Sequence, residues 1–584
     1  MGEAVHWKSI ARAQTILGQE RGTLVRDWGG LTPVALAYPN TYYVGMSNLG
    51  FQTLYRLLNE APGLVCERVF QAFKDSRSSV TEPLLSLESQ RRMDEFATLA
   101  FSLSFEADYL NMINMLRRAS IPPLAEERDE TYPLLLAGGP AVSANPEPLA
   151  PIFDAILIGE VDEVSSSIAE VLTQGMEIRK DKLLAALAQI PGVYVPQLHS
   201  EKSAVVERQW TKEIDAYPTH SVILTPNTEF NDMYLIEIAR GCRRGCRFCL
   251  AGFIYRPPRE RSVEALLDQA REGLRYTDRI GLVASSVSDH SRIDELTTSL
   301  REMGARLSVS SLRADSLSEP LLKALSESGT RTLTIAPEAG SERLRRVINK
   351  GLSADDILSA SEAARRFGFA QLKLYFMIGL PTETEEDIEA ISSLVEEIAK
   401  RFKRNISLKL TPFVPKAHTP FEREAMSDPK VLKARVRTIG KRLRPRGITV
   451  GSESVAWSQL QGTLARGDRR LGYALASLEG PTLASWRRSL KKNSLDPHKY
   501  LRQRDNDETL PWRIAGAGID ERYLEQEDRQ AHDERSTPPC PPDYAACRRC
   551  GVCGPMRSVK REQEEGVEKE SGSLSGAGGM PTSM

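Results

Sequence analysis

The chain of 584 residues is poor in histidine and cysteine and carries almost no net charge. It contains seven histidines and eight cysteines, and 77 lysine and arginine residues balance 78 acidic ones, giving a net charge of -1. This balance gives no broad electrostatic support for a nucleic-acid or membrane partner. The sequence has no run of about eighteen apolar residues and no apolar secretory signal at its start. We therefore expect no membrane association and a cytoplasmic location, where thiols stay reduced.

The first part of the chain shows the alternation of a parallel α/β domain. Apolar runs at residues 33–38, 97–103, 133–137 and 155–158 alternate with polar turns and helical patterns. This rhythm predicts a Rossmann-like βα domain over residues 28–196. A linker is expected at residues 197–230.

Residues 231–427 contain six more βα units. Strands are predicted at residues 234–239, 280–284, 306–310, 332–336, 371–378 and 406–410, with helical patterns between them. Six units are too few for a closed eight-stranded barrel, so an open, partial barrel is expected. In such folds the chemistry gathers where the parallel strands end.

Three cysteines follow the first of these strands directly. Cys242, Cys246 and Cys249 form a CxxxCxxC motif. Three thiolates at this spacing can bind three irons of a 4Fe-4S cluster and leave the fourth iron open for catalysis. Zinc fits less well, since it usually takes four ligands and no fourth cysteine or histidine lies nearby in sequence. A disulfide arrangement is not expected, because three cysteines cannot all pair.

The motif, with Phe248 before its last cysteine, resembles the signature of the radical S-adenosylmethionine (radical SAM) superfamily. The resemblance implies a partial (β/α)6 barrel in which a reduced 4Fe-4S cluster cleaves S-adenosylmethionine to a 5'-deoxyadenosyl radical. It also implies an electron donor such as flavodoxin or ferredoxin. The substrate is unknown, and the reaction is either methyl or methylthio transfer or a radical rearrangement or oxidation. The alternative is a non-catalytic iron-sulfur redox, sensor or scaffold protein.

The first domain is similar to the cobalamin-binding domains that precede many radical SAM barrels. The similarity lies in the loops at residues 138–140, 145–148 and 158–160. Cobalamin domains that supply an axial ligand carry an Asp-x-His-x-x-Gly loop after the first strand. Residues 40–47 contain no histidine. A histidine-ligated cobalamin is therefore not expected, which leaves cobalamin without a protein ligand or a domain that only keeps the architecture.

The loops after the second and third strands of the barrel offer further cofactor-binding residues by this resemblance. Ser285 and Ser286 stand where related enzymes receive the methionine amino group, although a helix cap nearby is an equal alternative. Ser310 and Arg313 could meet the ribose and carboxylate of the cofactor, since arginine pairs well with carboxylates. An ordinary ion pair is the alternative for Arg313.

The remaining barrel loops complete the predicted site. Phe248 and Glu338 are expected to contact the cofactor, Glu338 at its ribose. Gly379 lies in a segment similar to the one that borders adenine in related enzymes. His418 is a candidate catalytic proton donor, because imidazole titrates near neutral pH. A hydrogen-bonded structural histidine is the alternative.

A second cysteine group lies near the end of the chain. After an extension at residues 428–535, the segment 536–554 carries Cys540, Cys547, Cys550 and Cys553. Four thiols with two CxxC steps can bind zinc or a second 4Fe-4S cluster, and the sequence does not decide between them. Residues 555–584 are expected to be disordered. The predicted fold class is thus α/β, with a Rossmann-like domain, a partial (β/α)6 barrel and a small metal-binding segment.

Overall fold

A computed structural model describes residues 2–72, 84–175, 178–199, 205–309 and 312–556. The helices in these ranges are α1 (Gly2–Leu17), α2 (Tyr42–Gly45), α3 (Leu49–Glu60), α4 (Asp108–Arg118), α5 (Pro140–Ala144), α6 (Ser165–Gln174), α7 (Lys180–Leu187), α8 (Ala251–Ile254), α9 (Val263–Gly273), α10 (Ile293–Glu302), α11 (Glu319–Glu327), α12 (Glu342–Val347), α13 (Ala354–Arg366), α14 (Glu385–Phe402), α15 (Pro429–Leu443), α16 (Val455–Ala465), α17 (Arg470–Ala476), α18 (Leu483–Lys492), α19 (His498–Leu501) and α20 (Glu521–His532). Among them, no helix has the length and apolar character needed to cross a bilayer.

The strands form two main parallel layers. Their bounds are β1 (Thr32–Thr41), β2 (Leu64–Ala72), β3 (Thr98–Ser102), β4 (Leu134–Gly138), β5 (Ala155–Leu157), β6 (Val193–Tyr194), β7 (Val206–Glu207), β8 (Tyr234–Glu237), β9 (Ala239–Arg240), β10 (Arg259–Glu260), β11 (Arg279–Val283), β12 (Arg306–Val309), β13 (Thr332–Glu338), β14 (Gln371–Ile378), β15 (Asn405–Pro412), β16 (Thr449–Ser452) and β17 (Ala515–Gly516).

The first layer is a Rossmann-like sheet in the order β2-β1-β3-β4-β5-β6. Its first five strands are parallel, and β6 pairs antiparallel with β5. The chain passes from β1 to β2 on one side and then to β3 on the other. A topological switch point therefore lies between β1 and β3, which is where open α/β sheets bind ligands. The predicted α/β class is confirmed, although β2 was not among the predicted strands.

The C-terminal extension covers one face of this first sheet. Leu464, Leu471 and Trp486 belong to the same buried cluster as Leu99 and Phe101 of β3. The opposite face packs in a separate cluster that contains residues of α3, α6 and α7. The extension is thus part of the core of the first layer, more than 350 residues away in sequence from β3.

The second layer contains the predicted barrel strands and one more. Strands β8, β11 and β12 form one parallel sheet, and β13 to β16 form another. A parallel bridge between Leu312 and Ile335 joins them. The sixth predicted strand, β15, pairs in parallel with β16, so the sheet continues past residue 427, where the barrel was predicted to end.

Serine and threonine caps start several helices of the barrel. The side chains of Ser262, Ser318, Ser353 and Thr384 each accept a hydrogen bond from a backbone N–H in the first turn of the next helix. These caps replace hydrogen bonds that the helix start lacks.

The described part of the predicted linker, residues 205–230, is packed. Strand β7 pairs with β17 near the end of the chain, and Ile214 and Ile223 are buried. The tail from residue 557 onward lies outside the described residues.

Candidate functional site

The three cysteines of the CxxxCxxC motif lie on a loop directly after the end of β8 and β9. The antiparallel pair of β9 and β10 holds the start of this loop. Gly241, just before Cys242, has a φ of 80°, and a β-carbon there would lie 2.4 Å from the carbonyl oxygen of Tyr255. Only glycine fits a left-handed conformation with so close a backbone neighbour.

We expect Gly241→Ala to lower the free energy of unfolding by about 2 kcal/mol and to reduce the iron retained by the chain. The added β-carbon would force the loop away from Tyr255 and move Cys242. Gly29→Ala is the matched control, because nothing lies within 4 Å of its β-carbon position. Urea unfolding and iron analysis measure both effects, and equal results for the two variants would contradict this account.

The thiols of the loop are close enough to oppose one another's ionisation. Burial, followed by the neighbouring Cys246 and Cys242 thiols, raises the pKa of Cys249 to about 12. Burial likewise raises the pKa of Cys242. Three thiolates can therefore persist here only with a compensating cation, so the donor set fits an iron-sulfur cluster.

Among the described residues, one set of three side chains has its metal-ligand atoms within 4.8 Å of one another, namely Glu424, Asp528 and His532.

Charged side chains surround the loop on its barrel side. Arg244 donates to Asp289 at 2.5 Å and to Asp315 at 2.8 Å. Arg313 donates from Nε to Asp315 at 3.0 Å and from Nη2 to the carbonyl oxygen of Lys350 at 2.8 Å. Arg313 thus makes the ion pair that was the alternative to cofactor binding. Burial lowers the pKa of Arg313, but the hydrogen bond to Asp315 and the nearby Cys246 raise it overall. The motif residue Arg244 was not among the predicted site residues.

Glu338 lies beside this group at the end of β13. Its φ of 68° is left-handed, and its carboxylate lies 3.4 Å from Nζ of Lys350. Burial raises the pKa of Glu338, and the charge of Lys350 opposes this shift. Phe248 packs against a buried cluster that includes Met377, Leu380 and Phe413. Phe248 and Glu338 therefore lie on the barrel side of the cysteine loop.

The predicted serines fall into three situations. Ser285 is exposed and lines a large cavity described below. Ser286 donates to Asp289 at 2.8 Å, the carboxylate that Arg244 also contacts. Ser310 lies outside the described residues.

Gly379 lies in a packed turn. Its N–H donates to Glu383 at 2.6 Å, and its carbonyl oxygen accepts from Ser427 at 3.2 Å. A β-carbon at this position would lie 2.6 Å from the side chain of Leu432. These contacts occupy both backbone polar groups of Gly379 within the protein.

His418 is buried inside the protein. It is 3% exposed, next to the cluster of Ala144, Ala417 and Trp512. Burial, followed by the charge of Arg513, lowers the pKa of His418 to about 3. The imidazole is therefore neutral at physiological pH, and this environment does not support the predicted proton donor that titrates near neutrality.

A cavity of about 590 Å³ lies between the first sheet and the barrel. Its walls include Asn48 after β1, Ser104 after β3, Gly139 after β4 and Glu160 after β5, together with Gly241 and Ser285 from the barrel. The cavity thus occupies the switch point of the first sheet and reaches the residue that precedes Cys242. Among the described residues that line it, none is a histidine, a cysteine or a methionine.

Buried ion pairs tie the first sheet to the cysteine loop. The carboxylate of Glu160 lies 2.7 Å from the guanidinium of Arg240, on β9. It also lies 2.7 Å from the guanidinium of Arg259, on β10. Asp162 also pairs with Arg240 at 2.7 Å, and Glu237 does so at 2.9 Å. Neither Arg240 nor Glu160 was among the predicted site residues, although Arg240 adjoins the cysteine motif and Glu160 belongs to the loop at residues 158–160.

The C-terminal cysteine segment lies against the same loop. The N–H of Cys540 donates to the carbonyl oxygen of Arg243 at 2.7 Å. Arg243 lies between Cys242 and Cys246 in the sequence. Burial, followed by Cys550, Cys547 and Cys540, raises the pKa of Cys553 to about 11. The other three thiols are therefore near enough to Cys553 to oppose its ionisation.

Comparisons with known proteins identify the family of the chain. A profile described as "Radical SAM proteins, N-terminal" matches residues 50–196, and one described as "Radical SAM superfamily" matches residues 236–395. The chain is 36% identical over 475 residues to the uncharacterized protein MJ0966 of Methanocaldococcus jannaschii, covering 80% of this chain and 95% of that protein.

Two further similarities are more distant. The chain is 27% identical over 176 residues to the ribosomal protein uS12 methylthiotransferase RimO of Thermotoga petrophila, covering 28% of this chain and 41% of that protein. Among solved structures, it is similar to the radical S-adenosylmethionine methyltransferase TsrM from Kitasatospora setae. That match has a TM-score of 0.47 and 14% identity, and it covers 67% of this chain and 74% of the other.

Proposed function

Because this chain belongs to the radical SAM superfamily, we propose that it transfers a methyl or methylthio group to a substrate held in the cavity between its two layers. The protein is a radical SAM enzyme that uses a 4Fe-4S cluster and S-adenosylmethionine. The observation that carries the proposed reaction site is the cavity itself, which joins the switch point of the first sheet to Gly241. Group transfer is the activity named for the relatives RimO and TsrM.

The residues of this chain have separate tasks in the proposal. Cys242, Cys246 and Cys249 would hold three irons of the cluster, which, together with S-adenosylmethionine, would supply the radical chemistry of the reaction. Phe248 excludes water from the barrel side of the loop by packing on its apolar cluster. Glu338 and Ser285 remain the candidates for polar contact with the cofactor.

The ion pairs of Glu160 keep the first sheet and the cysteine loop in a fixed relation. Arg240 pairs with Glu160, Asp162 and Glu237. Arg259 pairs with Glu160. Substrate and cofactor can react only when they are held at the right distance and angle. We therefore assign Glu160 a positioning role, since it holds the loop rather than touching the reacting atoms.

We propose cobalamin as a second occupant of the cavity, held without a protein ligand to cobalt. The cavity is large, about 590 Å³, and Gly138, Gly139 and Gly159 line it at the strand ends. The lack of histidine, cysteine and methionine among the described lining residues excludes side-chain ligation from these walls. Titration of the purified protein with hydroxocobalamin, followed by visible absorption, tests this proposal. A spectrum identical to that of free hydroxocobalamin would contradict cobalamin binding, and the substrate would then be the proposed occupant of the cavity.

We also propose that the enzyme works in the cytoplasm with a flavodoxin or ferredoxin as electron donor. A reducing compartment keeps its seven motif cysteines available as thiolates for metal binding. The tail cysteines, in this proposal, hold a metal or a second cluster.

The first experiment is anaerobic. The protein is reconstituted with iron and sulfide, reduced with dithionite and given S-adenosylmethionine with a deuterated methyl group. We expect 5'-deoxyadenosine, and S-adenosylhomocysteine whenever the methyl group leaves as such. A full cluster that neither binds nor cleaves S-adenosylmethionine would contradict the proposed activity.

A further inference from the structure

Helix α20 and the segment after β15 bring two carboxylates and an imidazole together, away from both cysteine groups. Asp528 and His532 are four residues apart on α20, so their side chains lie on the same face of the helix. The carboxylate of Glu424 lies 2.8 Å from Nε2 of His532. One ligand atom from each of the three side chains lies within 4.8 Å of the other two. A metal ion bound at about 2.0–2.2 Å holds its ligand atoms no more than about 4.4 Å apart, so this spacing is close to that of a bound set.

One oxygen of this group has no hydrogen bond. Oδ1 of Asp528 is buried and accepts from no donor in the part of the chain that the structure describes. The nearby guanidinium of Arg247 does not fill this role, because its N–H groups donate to Glu527, to Thr537 and to three backbone carbonyl oxygens. Burial, followed by the charge of Glu424, raises the pKa of Asp528 to about 7. An ion pair with His532 needs one carboxylate, and this group has two.

The group is held in place by the packing around it. Glu424 is 8% exposed, and its carbonyl oxygen accepts from the buried guanidinium of Arg466 at 2.6 Å. Ala531 of α20 belongs to the same buried cluster as Phe421, three residues before Glu424, so the helix packs on this segment. The side chain of His532 is 46% exposed. The group is thus fixed by the core on one side and open to solvent on the other, where an ion can enter.

We propose that Glu424, Asp528 and His532 bind a divalent metal ion of the manganese, iron or zinc class. Carboxylate oxygens suit manganese, and imidazole nitrogen suits iron and zinc. The positive ion supplies the partner that Oδ1 of Asp528 lacks and offsets the charge of the two carboxylates. Three protein ligands leave further coordination positions to water.

The position of this ion connects it to the cysteine loop. Glu527, the residue before Asp528, pairs with Arg247 at 3.0 Å. Arg247 lies between Cys246 and Phe248 of the motif. An ion that joins the last turn of α20 to Glu424 therefore restrains the helix that holds Arg247. The binding site does not depend on the proposed function, whereas its effect on the cluster loop rests on it.

Manganese binding tests the site without an enzymatic assay. The cluster-reconstituted protein is titrated anaerobically with Mn²⁺, and the free ion is counted by its electron paramagnetic resonance at room temperature. Manganese is the chosen probe because thiolates favour softer metals, so the cysteines compete little. We expect about one Mn²⁺ per chain, bound about a hundredfold more weakly in Asp528→Asn and in His532→Ala. Equal binding by the unaltered protein and both variants, or no binding by the unaltered protein, would overturn the site.

Two exposed residues provide matched controls for the titration. His498→Ala removes an exposed histidine of α19, and Asp533→Asn removes an exposed carboxylate next to His532. Both variants should bind Mn²⁺ as the unaltered protein does. Loss of binding in these variants as well would show that the ion binds to general surface charge, contrary to the proposal.

Thermal unfolding separates loss of the site from misfolding. Asparagine has the shape of aspartate and removes one of two repelling charges, so metal-free Asp528→Asn should melt no lower than the metal-free unaltered protein. Saturating Mn²⁺ should raise the melting temperature of the unaltered protein by about 2 °C and leave that of Asp528→Asn unchanged. An equal rise in both proteins would contradict the proposal.

Hydrogen exchange tests the restraint on the helix. With Mn²⁺ bound, the amides of residues 521–535 should exchange more slowly in the unaltered protein and at an unchanged rate in Asp528→Asn. Exchange of this segment that is the same with and without bound Mn²⁺ would overturn the restraint. Failure of the proposed group transfer would change neither the titration nor the exchange.

Discussion

Replacing Cys242 with alanine is expected to remove the catalytic cluster and to lower 5'-deoxyadenosine formation to background. Two thiolates cannot hold a cluster that needs three protein ligands. Iron should fall by about four per chain relative to the unaltered protein. Metal analysis and chromatography of the nucleoside product measure both losses.

Cys66→Ala is the matched control for this prediction. It also removes one cysteine, and Cys66 is buried in β2 with its backbone groups bonded to Asn59. Its iron content and product yield should equal those of the unaltered protein. If the Cys242→Ala variant still cleaved S-adenosylmethionine, this result would contradict the assignment of the CxxxCxxC loop as the cluster site.

Glu160→Gln is expected to lower the free energy of unfolding by about 3–5 kcal/mol, because it leaves buried arginines without their shared carboxylate. Arg259 is 4% exposed and its ion pair is with Glu160, while Arg240 keeps Asp162 and Glu237. Urea unfolding followed by circular dichroism measures the loss. The variant should also lower product formation, since Glu160 holds the cysteine loop against the first sheet.

The exposed pair of Arg292 and Glu264 provides the control. Their side chains are 44% and 69% exposed, so Glu264→Gln should change stability by less than about 1 kcal/mol. A similar loss in both variants would show that the network at Glu160 has no special role in stability.

The effect of Glu160 should depend on pH in a defined direction. Burial raises the pKa of Glu160, but hydrogen bonding to Arg259 and the charges of Arg240 and Arg259 lower it more, so its folded pKa is depressed. Its stabilisation is complete above the unfolded pKa of about 4.3 and is lost as pH falls through the folded value. The difference between the unaltered protein and Glu160→Gln should therefore be largest near neutral pH and shrink below about pH 4.

The strands of both layers could be predicted where apolar runs are local and bounded by turns. Residues 371–378 were predicted as a strand, and β14 has these bounds. The missed β2 carries Glu67 and Arg68 within its buried run, so its pattern is not continuously apolar. Arg68 is nevertheless fully buried, because Glu20 and Glu88 pair with it from elsewhere in the chain. Such pairing is invisible to a local pattern.

The sequence identified the three cysteines as candidate cluster ligands, but it did not indicate which residues surround them. The cysteine spacing indicated the cluster together with the family resemblance that it carries, and all three predicted ligands lie within eight residues. His418 could not be judged in this way, since its low pKa comes from burial and from Arg513, far along the chain. The packing of the C-terminal extension against the first sheet likewise depends on contacts between segments that are far apart in sequence.

The contacts of the cysteine loop also fix an order of events during synthesis. Arg247, between Cys246 and Phe248, pairs with Glu527, which lies 280 residues later in the chain. A ribosome that adds about 5–20 residues per second needs roughly 15–60 s to make that stretch. During this interval the loop lacks the segment that later covers it. The contact between Arg247 and Glu527, which ties the cysteine loop to the C-terminal part of the chain, therefore forms only late in synthesis.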